Sequence, residues 1–284
     1  MHSMNKALLP IVKRFIAGET IEGAVARVRH LNSQGVRGLV DYLGEHSKAK
    51  DEAEKAVRVY LEVLALVKRE GLESDVSLKL THFGLDLGKR DCIRRVKKVC
   101  AAAKAQKAFV WVDMEDSAYT QDTIDAYDFI FHEYKNAGLC LQACLKRTEK
   151  DLELELRRKG KIRLVKGAYR EQPSVAFQRK SGVDESFSRL QQRLFEKGDN
   201  FAIATHDLKL LHEAKHLKVL HSGKNFEVQM LMGVRDSLKP QLVREGFNVS
   251  EYVPFGENWL PYYSRRLREV RNLGFALKAA LLMR

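Results

Sequence analysis

Residues 201–231, FAIATHDLKLLHEAKHLKVLHSGKNFEVQML, contain a complete strand–helix–strand unit. Apolar segments at 201–205 and 226–231 flank a stretch from Leu208 to Leu217 in which leucine or alanine recurs every third residue, as on one helical face. Two strands joined through a helix in this way run parallel, because the helix carries the chain back to the starting end of the sheet. This unit therefore predicts an α/β fold.

The same alternation recurs along the chain and predicts eight strands. They cover residues 37–43, 76–80, 109–114, 139–145, 162–167, 201–205, 226–231 and 249–254. Eight such units in 284 residues match the size of one closed (β/α)₈, TIM-like barrel, which is typically about 250 residues long. An open, doubly wound sheet has the same pattern and is the alternative.

The N-terminal segment precedes the first strand. Apolar residues between Ile21 and Leu31 share one helical face. We expect residues 1–35 to form an N-terminal helical cap packed on the barrel, and residues 36–284 to form the barrel as a single domain.

The composition is that of a globular protein, with 45% hydrophobic and 31% charged residues. The net charge of +13 is compatible with nucleic acid, an anionic membrane surface or an anionic cofactor as partner. The apolar run at 279–283 is too short to span a bilayer, and residues 1–13 lack the pattern of a secretory signal. We therefore expect a cytoplasmic protein.

No metal site is expected. His212 and His216 are four residues apart on a predicted helix, but no third ligand lies at a matching spacing, so both are interpreted as surface residues. The cysteines, which show no zinc-type spacing and are predicted to be buried thiols, are Cys92, Cys100, Cys140 and Cys144.

Polar residues concentrate at the ends of the predicted strands, where (β/α)₈ barrels carry their chemistry. Strands covered by helices are nearly all apolar, so ionisable residues within them favour a functional site over structural ion pairs. The polar residues in or just after the predicted strands are Lys79, Asp113, Glu115, Asp116, Gln142, Arg163, Lys166, Thr205, His206, Asp207, Gln229 and Tyr252.

Two segments carry a more specific signal. In IRLVKGAYRE, residues 162–171, a glycine after a strand end allows close approach of a phosphate or ring to the backbone. In YVPFGENWLPYYSRRLRE, residues 252–269, Arg265 and Arg266 can clamp a carboxylate or phosphate. The alternative, an exposed basic helix face, fits Arg268 better than this pair. Neither a GxGxxG nor a P-loop motif is present.

Together with further segments in the same order, these motifs resemble the proline dehydrogenase family nearly from end to end. The further segments are RFIAGE (14–19), VDYLGE (40–45), SLKLT (77–81), WVDMED (111–116), LCLQACLKRTEKDL (139–152), FAIATHD (201–207) and FEVQMLMGVR (226–235).

The resemblance implies a substrate site and two catalytic residues. The substrate carboxylate would be held by Lys79, Arg265 and Arg266, and its ring would be enclosed by Leu231, Tyr252 and Tyr262. The resemblance places Arg163 near flavin N5, and Asp113 beside the active site in support of activity.

The resemblance also implies FAD as cofactor. Its isoalloxazine would be lined by Met114, Gln142, Ala143, Arg163, Val165, Lys166, Gly167, Ala168 and Tyr169. Its polar tail and its adenosine or pyrophosphate end would be held by Thr205, His206, Arg179 and Lys180, and Glu269 would orient an arginine of the clamp beside the cofactor.

The expected activity is oxidation of L-proline to 1-pyrroline-5-carboxylate, with hydride transfer to FAD and onward electron transfer to a membrane quinone. Contact with the inner face of the membrane would be peripheral, through a basic helix face of Arg94, Arg95, Lys97 and Lys98. One alternative is another barrel flavoenzyme, such as a folate reductase, which lacks the tandem-arginine helix. A nucleic-acid-binding protein is the other, and it predicts exposed aromatics among the basic residues. We therefore expect no nucleic-acid partner.

Overall fold

The computed structural model describes residues 14–272, with side chains described for residues 14–265. Eight parallel strands close into one barrel in sequence order, and the first strand pairs with the last. The strands are β1 (Arg37–Tyr42), β2 (Ser74–Leu78), β3 (Val110–Val112), β4 (Ala137–Gln142), β5 (Ile162–Val165), β6 (Asn200–Ala204), β7 (Asn225–Leu231) and β8 (Asn248–Phe255). The predicted (β/α)₈ barrel is thus confirmed, and the open sheet is excluded.

Helices connect successive strands and cover the barrel. They are α1 (Ile21–Asn32), α2 (Lys50–Arg69), α3 (Lys89–Lys104), α4 (Thr120–Glu133), α5 (Thr148–Arg157), α6 (Lys180–Lys197), α7 (Leu208–Leu220), α8 (Leu238–Arg244) and α9 (Trp259–Asn272), with a short 3₁₀ helix at Leu85–Leu87. The strands are largely apolar because helices cover their outer faces, and every residue of β4 is buried.

Helix α1 packs on the outside of β1 and β8, where its apolar face joins the main hydrophobic core. Gly38 in β1 permits this contact, because a Cβ at Gly38 would lie 2.6 Å from Cγ2 of Val28. Arg27 of α1 also forms an ion pair with the buried Glu251 of β8, 2.7 Å from Nε to Oε1. The boundary at residues 35 and 36 stays a prediction, and residues 1–13 lie outside the described part of the chain.

Helix α9 lies at the C-terminal mouth of the barrel rather than along its side. Its Trp259, Tyr262 and Tyr263 form a separate apolar cluster with Phe15 and with Leu43, which follows β1. The last helix therefore helps to enclose the end of the barrel at which the predicted polar residues lie.

The prediction that four basic residues of α3 form an exposed docking face is wrong for one of them. Arg95 is only 1% exposed, because it packs against the core and donates to Glu54 of α2. Lys97 and Lys98 lie near carboxylates of neighbouring helices as well. Across residues 14–272, every helix is too short or too polar to cross a bilayer. The four cysteines are free and buried, as predicted.

Candidate active site

Four residues that the sequence singles out meet inside the mouth of the barrel. Lys79 follows β2, Asp113 follows β3, Arg163 lies in β5 and Tyr252 lies in β8. The Tyr252 hydroxyl donates to Oδ2 of Asp113 at 2.8 Å, and Nη2 of Arg163 donates to Oδ1 of the same carboxylate. Nζ of Lys79 lies 3.6 Å from Asp113 Oδ2. Asp113 is therefore the centre of a connected polar network.

Asp41 belongs to this network, although the sequence interpretation did not include it. Both of its carboxylate oxygens lie 3.2 Å from Nζ of Lys79, and its side chain is fully buried. The signal that could have identified it is an acidic residue directly after the apolar residues Leu39 and Val40 of this strand. Two cations and two carboxylates therefore alternate through the interior of the barrel.

Arg163 is held on several sides. Its Nη2 also donates to Oγ of Ser77 at 2.9 Å, and its Nη1 donates to Oε1 of Gln229 at 3.2 Å. Its guanidinium carbon lies 5.2 Å from the centroid of the Trp111 ring. Its Nε is buried without a hydrogen-bond partner among the residues that the structure describes. Arg163 is thus a rigidly held, buried cation in β5.

Burial and pairing set the protonation states of the network. Burial alone would raise the pKa of Asp113, but the positive charges of Arg163 and Lys79 hold that pKa below its usual range. Burial raises the pKa of Asp41 in spite of Lys79. Burial opposes the charge of Lys79, yet Asp41 and Asp113 raise the pKa of Lys79 above its ordinary value. Asp113 is therefore a carboxylate and Lys79 an ammonium group at neutral pH.

A second polar cluster lies nearer to solvent. Nη1 of Arg265 in α9 donates to Oε2 of Glu45 at 3.2 Å, and the Arg265 guanidinium carbon lies 5.2 Å from the centroid of the Tyr169 ring. The Tyr169 hydroxyl donates to Glu45 Oε1 at 3.4 Å. Glu45 was not among the predicted site residues. This cluster joins the ends of β1 and β5 to helix α9 across the mouth.

An apolar wall stands beside the inner network. The rings of Tyr252 and Tyr262 are nearly parallel, 10° apart, with their centroids separated by 6.4 Å. Leu231, at the end of β7, packs against the same cluster. The predicted ring-binding residues therefore lie together next to Asp113. Of the remaining predicted residues on α9, Arg266 and Glu269 lie outside the residues whose side chains are described.

The ends of β4 and β5 form a shallow cradle. At Gly167 the backbone has φ of +111°, and a Cβ there would lie only 2.3 Å from Sγ of Cys144, so no side chain fits. Gln142 is buried beside it and donates to the Glu115 carbonyl at 2.8 Å. Residues 165–169 are half-buried, whereas Met114 and Ala143 are buried beneath them. A planar ring could lie against this half-buried backbone.

Further basic residues follow β5 and β6. Lys166 and Lys180 are ion-paired with Asp184 and Asp207, and Arg179 is exposed just before α6. The backbone N–H of Asp207 donates to Thr205 Oγ1 at 3.2 Å. Nε2 of His206 accepts from the backbone N–H of Leu231 at 2.8 Å. Because Leu231 is the last residue of β7, this bond holds His206 at the mouth of the barrel. These residues extend the cradle towards α6 and α7.

Comparison with known proteins gives one consistent relationship. A family model described as proline dehydrogenase matches residues 24–276. Proline dehydrogenase 1 of Bacillus subtilis subsp. natto is 35% identical, over 98% of this chain and 96% of the relative. Proline dehydrogenase 2 of Bacillus subtilis is 37% identical, over 93% of this chain and 88% of the relative. Proline dehydrogenase of Deinococcus radiodurans is 32% identical, over 95% of this chain and 90% of the relative.

Solved structures show the same fold. Proline utilization A from Bdellovibrio bacteriovorus, inactivated by N-propargylglycine, superposes with a TM-score of 0.88 at 22% identity. Proline utilization A from Bradyrhizobium japonicum superposes with a TM-score of 0.79 at 23% identity. The chain covers 34% and 32% of these longer chains, respectively, and 98% and 94% of its own length is matched.

Proposed function

Because this chain belongs to the proline dehydrogenase family, we propose that it oxidises L-proline to 1-pyrroline-5-carboxylate with FAD as the hydride acceptor. It is an oxidoreductase of proline catabolism. The observation that carries the proposal is the buried network of Lys79, Asp113, Arg163 and Tyr252, which shares Tyr252 with the apolar wall and Arg163 with the strand that ends in the cradle. Neither of the two alternatives, a folate reductase or a nucleic-acid-binding protein, is needed to explain this arrangement of residues.

The substrate carboxylate binds at the cationic side of the network. Lys79 presents an ammonium group at the end of β2, and Arg265 approaches from α9 with its guanidinium held by Glu45. Both are donors of charge-assisted hydrogen bonds. We include Arg266 in the same clamp on the strength of the family resemblance. The five-membered ring then rests against Leu231, Tyr252 and Tyr262.

The residues present fit a flavin. Because Gly167 has no Cβ, the half-buried backbone there packs closely against Cys144, and Nε of Arg163 is a buried donor without a hydrogen bond among the described residues. The backbone of residues 165–169, with Gln142, Ala143 and Met114, would hold the ring system, and Thr205, His206, Arg179 and Lys180 its tail. A bound flavin supplies an acceptor for two electrons, which the side chains of this chain do not provide.

The oxidation takes a hydride from the ring carbon next to the nitrogen of the neutral amine, and the N–H proton is released to solvent, which leaves a C=N bond. Asp113 remains ionised, because Arg163 and Lys79 lower its pKa, so its role is to hold Arg163 and Tyr252 in place. Arg163 places positive charge beside the cradle, where electron density arrives. The substrate clamp fixes the reacting carbon by positioning.

Onward transfer of the electrons to a membrane quinone, with peripheral membrane contact, completes the proposal. It is supported by the family resemblance. An assay with L-proline and a soluble quinone tests it: we expect pyrroline-5-carboxylate to form in amounts equal to the quinone reduced. Turnover with an artificial dye but not with any quinone would contradict the quinone as electron acceptor, while the proposed oxidation of proline would stand. Lack of turnover by FAD-loaded protein with every acceptor would contradict the oxidation itself.

A further inference from the structure

Four charged side chains form a closed ion-paired ring beside the cradle, the Lys166–Lys180–Asp184–Asp207 quartet. Nζ of Lys166 lies 2.8 Å from Oδ2 of Asp207, and Nζ of Lys180 lies 3.2 Å from the same oxygen. Each lysine also pairs with Asp184. Each cation therefore contacts both anions, and the quartet has no net charge.

The quartet lies where two helices begin. Lys180 is the first residue of α6, and the residue before it, Arg179, makes no side-chain capping hydrogen bond. Asp207 caps α7, because its Oδ1 accepts from the backbone N–H of Lys209 at 3.1 Å. Two helix N-termini and two lysines favour an anion at this place.

The carboxylates of the quartet already satisfy this preference. Burial alone would raise the pKa of Asp207, but Lys166 and Lys180 hold it far below its usual range. Asp207 is therefore ionised at neutral pH. Both aspartate side chains are mostly shielded from solvent, at 21% exposure for Asp184 and 17% for Asp207. An incoming anion must displace them or bind next to them.

We propose that Asp184 and Asp207 compete with the diphosphate of FAD for Lys166 and Lys180, and thereby lower the affinity of the protein for its cofactor. The inference rests on the proposed function, because it takes FAD to be the cofactor. In the cofactor-free chain the two carboxylates keep the lysines paired and the helix ends neutral. When the cofactor binds, the same carboxylates remain close to its phosphates and repel them.

The experiment measures the Kd of the flavin-free full chain for FAD by quenching of flavin fluorescence. Asp184→Asn and Asp207→Asn should each tighten binding about tenfold or more at low salt, because each removes one negative charge beside a dianion. Asparagine keeps the cap of α7, since its side-chain oxygen also accepts from a backbone N–H. The gain should shrink as salt approaches about 1 M, where the Debye length is roughly 3 Å.

Glu185→Gln is the matched control. It makes the same change of charge on the next residue of α6, at an exposed position, and should leave the Kd for FAD nearly unchanged. Inorganic pyrophosphate provides a second probe: it should raise the melting temperature of the two aspartate variants more than that of the unchanged chain.

Two outcomes overturn the inference while the proposed function stands. If the unchanged chain binds FAD and is reduced by proline, but the asparagine variants bind FAD equally or more weakly, the carboxylates position the lysines instead of competing for them. If the asparagine variants tighten FAD binding only as much as Glu185→Gln does, the effect comes from the overall charge of the protein and not from the quartet. If the unchanged chain binds no FAD at all, the proposed function fails and the inference fails with it.

Discussion

The hydroxyl of Tyr252 donates a 2.8 Å hydrogen bond to Oδ2 of Asp113 and so joins β8 to the end of β3 across the interior of the barrel. The same carboxylate accepts from Arg163 through its other oxygen. One buried aspartate thereby fixes both a wall of the proposed substrate pocket and the arginine beside the proposed flavin cradle. The consequences can be measured.

Tyr252→Phe should shift the pH dependence of kcat/KM for proline. The lost hydrogen bond is one of the interactions that lower the pKa of Asp113, so this pKa should rise. The acidic limb of the profile, below which Asp113 becomes protonated, should then move to higher pH. Phenylalanine keeps the ring beside Tyr262. Tyr263→Phe is the matched control, and a shift of equal size in that variant would contradict the assignment.

Lys79→Met should raise the KM for proline on the order of 100-fold, because it removes a charge that pairs with the substrate carboxylate. It also leaves Asp41 buried without its cation, so the variant should melt at a lower temperature. Lys89→Met, at a surface ion pair, should change neither quantity appreciably. A variant that retains bound flavin and an unchanged KM would remove Lys79 from the clamp.

Gly167→Ala should weaken flavin binding and lower stability. The added Cβ would lie 2.3 Å from Sγ of Cys144, and the φ of +111° is one that alanine rarely adopts. Gly71→Ala separates these effects, since Gly71 also has a positive φ, of +63°, but no atom lies within 4 Å of the added Cβ. Flavin content after purification should fall for the first variant alone. Equal flavin loss in both variants would mean that the positive φ, and not the contact with Cys144, causes the loss.

Glu115→Gln should stabilise the protein at alkaline pH. Burial raises the pKa of Glu115 to about 7, so the folded state binds a proton that the unfolded chain releases near its ordinary, lower pKa. Stability is therefore full below that lower pKa and is lost as pH rises through about 7. Glutamine imitates the protonated acid towards Thr81.

Thermal melts should show the gain from Glu115→Gln at pH 8.5 and little change at pH 4.5, up to ~1.4 kcal/mol for each unit by which the pKa is raised. Equal effects at both pH values would mean that Glu115 is ionised in the folded protein throughout.

Local patterns account for the architecture and for much of the site. The apolar strands and helical faces repeat at fixed intervals, so eight units could be counted from the sequence, and Lys79, Asp113 and Arg163 stand out as charges at strand ends. The partners of these residues could not be predicted, because Asp41 pairs with Lys79 and Glu45 pairs with Arg265 only after the barrel has closed. The second pair is separated by 220 residues.

The burial of Arg95 was missed for the same reason. Its helix spacing marks a basic surface, but Glu54, its partner, lies on a different helix and packs against it only in the folded protein. The position of α9 likewise follows from contacts with Phe15 and Leu43 rather than from its own sequence. Pairings between distant elements depend on closure of the barrel, which periodicity predicts in outline and not in detail.

The most direct test of the central claim is the visible absorption spectrum of the FAD-loaded protein, recorded anaerobically as L-proline is added. The account predicts that the bands of oxidised flavin bleach with proline, and that the Asp113→Ala variant, loaded to the same flavin content, bleaches far more slowly. Flavin bands that persist at saturating proline would contradict the assignment of substrate, even if the cofactor is bound in the barrel as proposed.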